Sequence, residues 1–242
     1  MTHFIQLHFL TSYPPANLNR DDLGNPKTAR LGGVERLRVS SQSLKRAWRT
    51  SETFQQELAG SIGTRTKRLG VEVFDALKAK GVAEKKAKDW AEEIAKEYGA
   101  LKKDVPLEIE QLVHVAPEER KTLDDLVSKL AEEQRGPSKE ELESLLHDHT
   151  AVDIAMFGRM LASKTEFNGE AAVQVAHAIG VHASAVEDDY FTAVDDLNRN
   201  DPGAAHIGEA GFAAAVFYQY VCIDRDLLKK NLGNDEALTE KA

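Results

Sequence analysis

Residues 36–49 read Arg-Leu-Arg-Val-Ser-Ser-Gln-Ser-Leu-Lys-Arg-Ala-Trp-Arg, a short strand pattern that changes to a helix pattern at two serines. Ser40 and Ser41 are suitable N-caps, because a serine hydroxyl accepts a hydrogen bond from an N–H of the first helical turn. Residues 27–49 contain seven Lys or Arg and one acid, Glu35, in a chain whose formal net charge is −9. A local reversal of charge is typical of a surface that contacts phosphate.

This strand-to-helix turn predicts an anion site. The first N–H groups of a helix have no partners within the helix, so they can bind an anion. Lys45 and Arg49 are four residues apart and share a helix face, and Arg20, Lys27 and Arg38 lie in the neighbouring loop and strand. The alternative is a solvated basic helix face with serine caps, which composition alone favours.

Composition and length restrict the class of protein. The 242 residues are enough for a sizeable core. The one cysteine, Cys222, excludes an internal disulfide framework and suits a reducing compartment. The N-terminus has no basic region typical of a signal peptide, and no apolar window is long enough to span a membrane. We therefore expect a cytoplasmic protein with no membrane partner.

The first third of the chain has strand character interrupted by a loop. Residues 3–10 alternate, with Ile5, Leu7 and Phe9 on one face, which predicts a core-facing first strand. Residues 13–33 contain many Gly, Pro and Asn residues, which predicts an irregular loop. The strand pattern resumes just before the two serines.

The remaining two thirds combine helices with strands. Residues from about 70 to 165 have the Ala, Lys, Glu and Leu content and the spacing of helices. Alternation over residues 173–181 predicts a strand, and the polar stretch 184–211 predicts a long hairpin. The apolar run 212–223 predicts another strand, followed by a helix capped by Asp224. The chain is therefore predicted to be α+β.

A series of spaced motifs carries a family resemblance. In chain order they are Asn17-Leu-Asn-Arg-Asp-Asp22, Gly32-Gly33, Arg38-Val-Ser-Ser-Gln-Ser-Leu-Lys-Arg-Ala47, Gly158-Arg-Met160, Ala176-His-Ala178, Phe191-Thr-Ala-Val-Asp-Asp-Leu197, Ala205-His206, Gly208 and Phe217-Tyr218. Together they resemble the CasC family, which supplies the repeated backbone subunit of Cascade, the type I-E CRISPR surveillance complex.

The resemblance implies an RRM-like (ferredoxin-like) palm with a helical fingers insertion and a thumb hairpin. The implied boundaries are palm 1–65, fingers 66–168, a palm strand 169–186, thumb 187–211, and a C-terminal palm part 212–242. Members of the family usually continue well beyond the position of Gly233. The resemblance therefore implies that this chain is shortened and that its last palm part is incomplete.

The resemblance also implies a function without bond chemistry, metal or cofactor, in antiviral defence. Its partners would be CRISPR RNA, target DNA paired to that guide, copies of the chain in a helical stack, and other Cascade subunits. The residues at matching positions that would bind the RNA backbone are Arg20, Lys27, Arg38, Ser40, Gln42, Lys45, Arg46 and Arg49. The thumb residues that would displace a base are Tyr190, Phe191 and Thr192.

Two further residues lie in or just before the loop at residues 163–169, which the family places beside the guide. Phe167 would be its apolar residue, and Arg159 would reach a phosphate. The alternative for Arg159 is a salt bridge to Asp153. For Tyr190 and Phe191, likewise, simple packing of the hairpin onto its neighbour is an alternative to contact with bases.

Two other classes of function are weighed against RNA scaffolding. A metal-dependent nuclease or phosphohydrolase would use the carboxylates of Asp21-Asp22 or Asp195-Asp196, or the pair of histidines in His147-Asp148-His149, but several ligands would have to converge on one metal. Loop caps and ion pairs explain these acids better. A protein-interaction module would dock a partner on the helical region 70–165 and assemble without RNA.

Overall fold

The computed structural model describes residues 3–162, 164–194, 197 and 204–242, without the side chains of residues 204 and 205. Within these residues there are nine strands, nine α-helices and one short 3-10 helix, Thr165–Phe167. The strands are β1 Phe4–Ala16, β2 Thr28–Leu31, β3 Val34–Val39, β4 Thr64–Thr66, β5 Val113–Val115, β6 Val173–Val175, β7 Ala178–Gly180, β8 Glu187–Val194 and β9 Ala204–Asp224. The helices are α1 Ser41–Arg49, α2 Glu52–Glu57, α3 Leu69–Ala79, α4 Glu84–Tyr98, α5 Pro117–Glu133, α6 Lys139–Glu143, α7 Val152–Phe157, α8 Arg225–Asn231 and α9 Glu236–Lys241.

The chain forms two compact units. The sheet unit comprises Ile5–Thr50 and Gln174–Cys222. The helical unit comprises Ser51–Val173 and Ile223–Ala242, with the short N-terminal segment that ends at Phe4. The predicted α+β class is confirmed, and an antiparallel sheet with helices is consistent with an RRM-like palm.

The main sheet runs in the order β1-β9-β7-β3-β2, and β6 and β8 also pair with β9. β3 pairs antiparallel with both β2 and β7, so it lies inside the sheet. The main buried cluster of the sheet unit consists of three alanines with one leucine and one phenylalanine: Leu37, Ala178, Ala213, Ala215 and Phe217. The strand that leads into α1 is therefore held from both sides.

The first strand is longer than predicted and does not face a core. Ile5, Leu7 and Phe9 are 44%, 37% and 44% exposed. β1 lies at the edge of the sheet order, next to β9 alone, and among the described residues no buried cluster includes any of its side chains. Period-2 alternation identifies a strand correctly, but it cannot tell whether anything covers the apolar face.

The predicted loop at residues 13–33 was partly wrong. β1 continues through Pro14-Pro15, which an edge strand tolerates because its outer N–H groups need no partner. β2 then pairs with β3 through a tight turn at Gly32 and Gly33, whose φ angles are 67° and 81°. A two-residue hairpin turn of this type needs positive φ at both positions, which glycine adopts without strain.

The strand predicted over 173–181 is two short strands. The Ala176 N–H donates to the Tyr220 carbonyl of β9, whereas Ala178 pairs with Val39 of β3. β9 is therefore a neighbour of both short strands, β3 becomes a second neighbour at β7, and His177 lies between the two. Conversely, β9 is a single strand of 21 residues. It joins two elements that the sequence predicted separately, the second strand of the hairpin and the apolar run 212–223.

The helical unit has the largest core. Helices α3, α4 and α5 pack around fully buried side chains that include Leu77, Ile94 and Leu130. β4 and β5 form a separate two-stranded sheet at this core. Asp224 caps α8, as predicted, by accepting a hydrogen bond from the Leu227 N–H (2.9 Å). No helix in the described part of the chain is long and apolar enough to cross a membrane.

A buried ion pair organises the loop after α7. The Arg159 guanidinium donates to both carboxylate oxygens of Glu119 (2.8 and 2.9 Å) and to the backbone carbonyls of His114 and Phe167. Both side chains of the pair are buried. Burial, followed by the Glu119 charge, raises the pKa of the nearby Tyr98 phenol.

The partner of Arg159 differs from the predicted one. Asp153 instead accepts from the Gly63 N–H (2.8 Å) and lies 2.7 Å from Nε2 of His114. The two acids therefore have different partners, Glu119 with Arg159 and Asp153 with His114. Sequence proximity favoured Asp153, but α5 brings Glu119 to the guanidinium from 40 positions away.

Replacing Arg159 by alanine should destabilise the protein strongly, because the carboxylate of Glu119 would stay buried without its counter-charge. We expect the free energy of unfolding to fall by about 3–5 kcal/mol, measured by urea denaturation.

The matched control is Arg120→Ala, which breaks the more exposed pairs of Arg120 with Glu72 and Asp124. This change should cost less than about 1 kcal/mol. Equal losses for the two variants would contradict the role assigned to the buried pair.

Candidate nucleic-acid interface

The start of α1 is held by three side chains. The Ser43 N–H donates to Oγ of Ser40 (3.3 Å), which is the predicted N-cap bond. The Ser40 N–H donates to Oδ1 of Asn19 (2.9 Å), and the Ser41 N–H donates to Nδ1 of His177 (2.9 Å). Three separate segments of the sheet unit therefore meet at this turn.

These bonds correct the predicted anion site. Three N–H groups that were expected to be open to an anion already have protein acceptors. Among the described residues, only the Gln42 N–H of the first turn has no protein acceptor. An anion at this turn would therefore be bound mainly by side chains rather than by the helix N-terminus.

The loop before β3 is tied to the same turn. The Lys27 N–H donates to the Asn19 carbonyl, and the Arg38 N–H donates to the Lys27 carbonyl, both at 2.8 Å. Arg20 and Pro26 form a bridge across the base of this loop. Arg20, Lys27 and Arg38 are thus presented from fixed backbone, with Arg20 exposed and the other two half-buried.

α1 has no buried residue, and its basic side chains reach solvent. Arg46 is exposed, whereas Lys45 and Arg49 are half-buried. Arg46 and Arg49 lie in the last turn, where the helix dipole favours cations. The helix dipole therefore accounts for the positions of Arg46 and Arg49. It does not account for Lys45 or for the cations of the neighbouring loop and strand.

The candidate metal ligands have structural roles. Oδ1 of Asp21 accepts hydrogen bonds from the N–H groups of Leu23 and Asn25, both at 2.9 Å, which makes it a loop cap. Nε2 of His147 lies 3.1 Å from the Thr122 hydroxyl. Within the described residues no group of three or more His, Cys, Asp or Glu could hold a metal ion. Asp195-Asp196 lie outside those residues.

Arg159 and Phe167 belong to the helical unit, and neither presents its side chain as the sequence suggested. Arg159 is buried by its pair with Glu119. Phe167 packs against the core of the helical unit. The large apolar side chain that is exposed in this segment is Met160, which is 73% exposed; it belongs to a motif that carries the family resemblance but was given no role.

The thumb residues lie on the β8–β9 hairpin, whose β8 side chains are all exposed. Tyr190 pairs with Glu209 and is 64% exposed, and Thr192 pairs with Ile207. Phe191 pairs with Gly208, and a Cβ at that glycine would lie 2.3 Å from Cζ of Phe191. The Phe191 ring therefore lies on the other strand of the same hairpin, while Tyr190 remains available to a ligand.

Sequence reasoning missed Asn19 and His177. Both occur inside motifs that carry the family resemblance, yet neither was assigned a role. The available signal was their place in those motifs, between or within segments predicted to be strands. What each side chain accepts is set by tertiary structure, 21 and 136 positions from its partner.

Comparison with known proteins gives three findings. The family model described as CT1975-like protein matches residues 5–242. A chain of a structure titled "CRISPR RNA-guided surveillance complex, pre-nicking" is 31% identical with a TM-score of 0.80, over 99% of this chain and 69% of that one. A chain of a second "CRISPR RNA-guided surveillance complex" is 26% identical with a TM-score of 0.70 over the same shares. A search of curated proteins found no match.

The contact between Phe191 and Gly208 can be tested by Gly208→Ala. The added methyl group must displace the Phe191 ring, because its position lies 2.3 Å from Cζ of that ring. We expect faster amide hydrogen exchange over residues 187–194 and 204–212, since local opening of the hairpin becomes easier.

Phe191→Ala and the double variant complete a mutant cycle. Without the ring there is no clash, so Gly208→Ala should have almost no further effect in the Phe191→Ala background. An equal effect of Gly208→Ala in both backgrounds would show that the ring does not lie on Gly208.

Proposed function

The chain belongs to the CT1975-like protein family, and on that premise we propose that it is the RNA-binding backbone subunit of a CRISPR RNA-guided surveillance complex of type I-E. It binds the guide RNA along the spacer and presents it for pairing with target DNA. Copies of the chain stack along the guide, and other Cascade subunits join the assembly in the cytoplasm.

One observation carries the proposal. Almost the whole chain superposes on a chain of an RNA-guided surveillance complex at 31% identity and a TM-score of 0.80. Identity at this level over 99% of the chain supports a shared role as well as a shared fold. The CasC resemblance read from the spaced motifs points to the same role.

The turn from β3 into α1, with the Lys and Arg side chains around it, is called the basic turn here. It can bind a guide of any sequence through the phosphates. Lysine and arginine bind phosphate oxygens without reading bases, and a guide-binding subunit must accept every spacer sequence. The loop and strand cations Arg20, Lys27 and Arg38 come from backbone that Asn19 and β3 hold in place. Gln42, Lys45, Arg46 and Arg49 complete the proposed surface, whereas Ser40 is buried and caps α1.

The β8–β9 hairpin is proposed to act as the thumb. Tyr190 and Thr192 lie on one face of β8, because residues two apart in a strand point to the same side. An exposed tyrosine can stack on a base of any identity, so this face is the better candidate for displacing a nucleotide. Phe191, which lies on Gly208, would instead support the hairpin.

The proposed mechanism involves no bond chemistry. Asp21 caps a loop and His147 contacts a threonine hydroxyl, so the acids and histidines that could favour a metal-dependent nuclease have other uses. A nuclease reading would be supported instead by cleavage of labelled RNA or DNA that depends on a divalent cation. We expect none.

Replacing Lys45 and Arg49 together by glutamate should weaken binding of single-stranded RNA. Loss of two phosphate contacts lowers the slope of log Kd against log salt by about 1.4, since each contact to a single strand contributes about 0.7. Fluorescence anisotropy over a salt series measures both quantities, and light scattering of the same samples follows multimer growth on RNA.

The matched control is Lys85→Glu with Lys88→Glu, which makes the same change of net charge on exposed positions of α4. Equal weakening by both double variants would mean that net charge, rather than this surface, governs binding. Assembly of the unaltered chain in the absence of RNA would favour the protein-interaction module instead.

A further inference from the structure

His177 is an exposed side chain on firmly fixed backbone. The residue before it, Ala176, donates to the Tyr220 carbonyl of β9 (3.0 Å), and the residue after it, Ala178, pairs with Val39 of β3. Because β3 and β7 are antiparallel, this register carries His177 towards Ser40 and the start of α1. The imidazole is thus placed at the basic turn by two neighbouring strands.

The hydrogen bond from Ser41 determines the tautomer of His177. Nδ1 accepts the Ser41 N–H at 2.9 Å, so Nδ1 carries no proton. A neutral imidazole has one N–H, which must then be on Nε2. His177 is exposed, and among the described residues no acceptor binds its Nε2. Nδ1 of His177 is therefore a used acceptor, and its Nε2–H is a donor that can bind a ligand.

The surroundings of this donor indicate what it can bind. Ser40, Gln42 and Lys45 follow in the same turn, and Lys27 and Arg38 are tied to it through Asn19. Three of the backbone N–H groups at the turn are occupied, so the remaining donors are mainly side chains. A neutral N–H donor among cations suits an oxygen of a nucleic-acid backbone better than it suits a base edge, because the cations position phosphates there.

We propose that His177 is a further RNA-contacting residue, which donates its Nε2–H to a backbone oxygen of the guide while its Nδ1 holds the start of α1. This inference rests on the proposed function. The acceptor is a phosphate oxygen or a ribose 2′-hydroxyl, which share the same acceptor chemistry.

Two substitutions separate the two nitrogens. His177→Asn keeps an oxygen acceptor near the position of Nδ1 and removes the donor at Nε2. His177→Gln keeps an amide donor near the position of Nε2 and removes the acceptor at Nδ1. Both are tested in the full chain by anisotropy with labelled single-stranded RNA of mixed sequence, over a salt series, together with thermal unfolding.

We expect His177→Asn to bind RNA about tenfold more weakly, the range for one hydrogen bond to a charged group. The unfolding temperature should stay that of the unaltered chain. The slope of log Kd against log salt should also be unchanged, because a neutral donor releases no counterion. His177→Gln should retain most of the affinity and lower the unfolding temperature.

A second arm identifies the acceptor. If the donor contacts the 2′-hydroxyl, the unaltered chain prefers RNA to the 2′-deoxy strand of the same sequence, and His177→Asn removes that preference. If it contacts a phosphate, the loss is equal on both strands. Either result supports the contact.

Two results would overturn the inference while leaving the proposed function in place. One is RNA affinity of His177→Asn equal to that of the unaltered chain. The other is a weaker affinity accompanied by a smaller salt slope and a lower unfolding temperature, which would mean that His177 only positions α1. Failure of the unaltered chain to bind RNA would overturn both proposals, and the Lys45 and Arg49 variant then has no binding to lose.

Discussion

Backbone N–H groups at the start of α1 need acceptors, and three segments of the chain supply them. Asn19 comes from the loop after β1, Ser40 from the end of β3, and His177 from the junction of β6 and β7. An N–H without an acceptor costs stability unless water reaches it, so the three segments are held together here. The positions of the basic side chains follow from this arrangement.

The local parts of this arrangement could be predicted and the distant parts could not. Ser40 and Asp224 were identified as helix caps because a cap and its N–H are three residues apart. His177 and its N–H are 136 positions apart, and no local pattern encodes that contact. The same limit explains why Arg159 was given a neighbouring acid, Asp153, when its partner comes from α5.

The sequence also could not predict which apolar strand faces are buried. The alternation in β1 predicts a strand correctly, yet whether its apolar face is buried depends on the position of the strand in the sheet and on what packs there. The family, by contrast, could be predicted from the sequence. Each short motif is weak evidence by itself, but many of them in the same order along the chain identify a family. The family model and the two surveillance-complex chains confirm that assignment.

Charge has opposite uses in the two units. In the helical unit the charge of Arg159 is balanced by Glu119, and both side chains are buried. Removing either group would leave the other as a buried charge without a partner. In the sheet unit, Arg20 and Arg46 remain exposed. A net charge of −9 describes neither situation, which is why local counts over residues 27–49 were more informative than the total.

Strand β9 runs without interruption from the hairpin into the central sheet. At one end it pairs with β8 from Phe212 to Ala204, and further along it pairs with β7 at Phe217 and Tyr218. No turn separates these two regions, so the hairpin is a direct continuation of a strand of the sheet. A change in the direction of β9 would therefore also move β7, which carries Ala178, and the end of β3, which pairs with β7. Whatever presses on the hairpin is therefore mechanically connected to the basic turn.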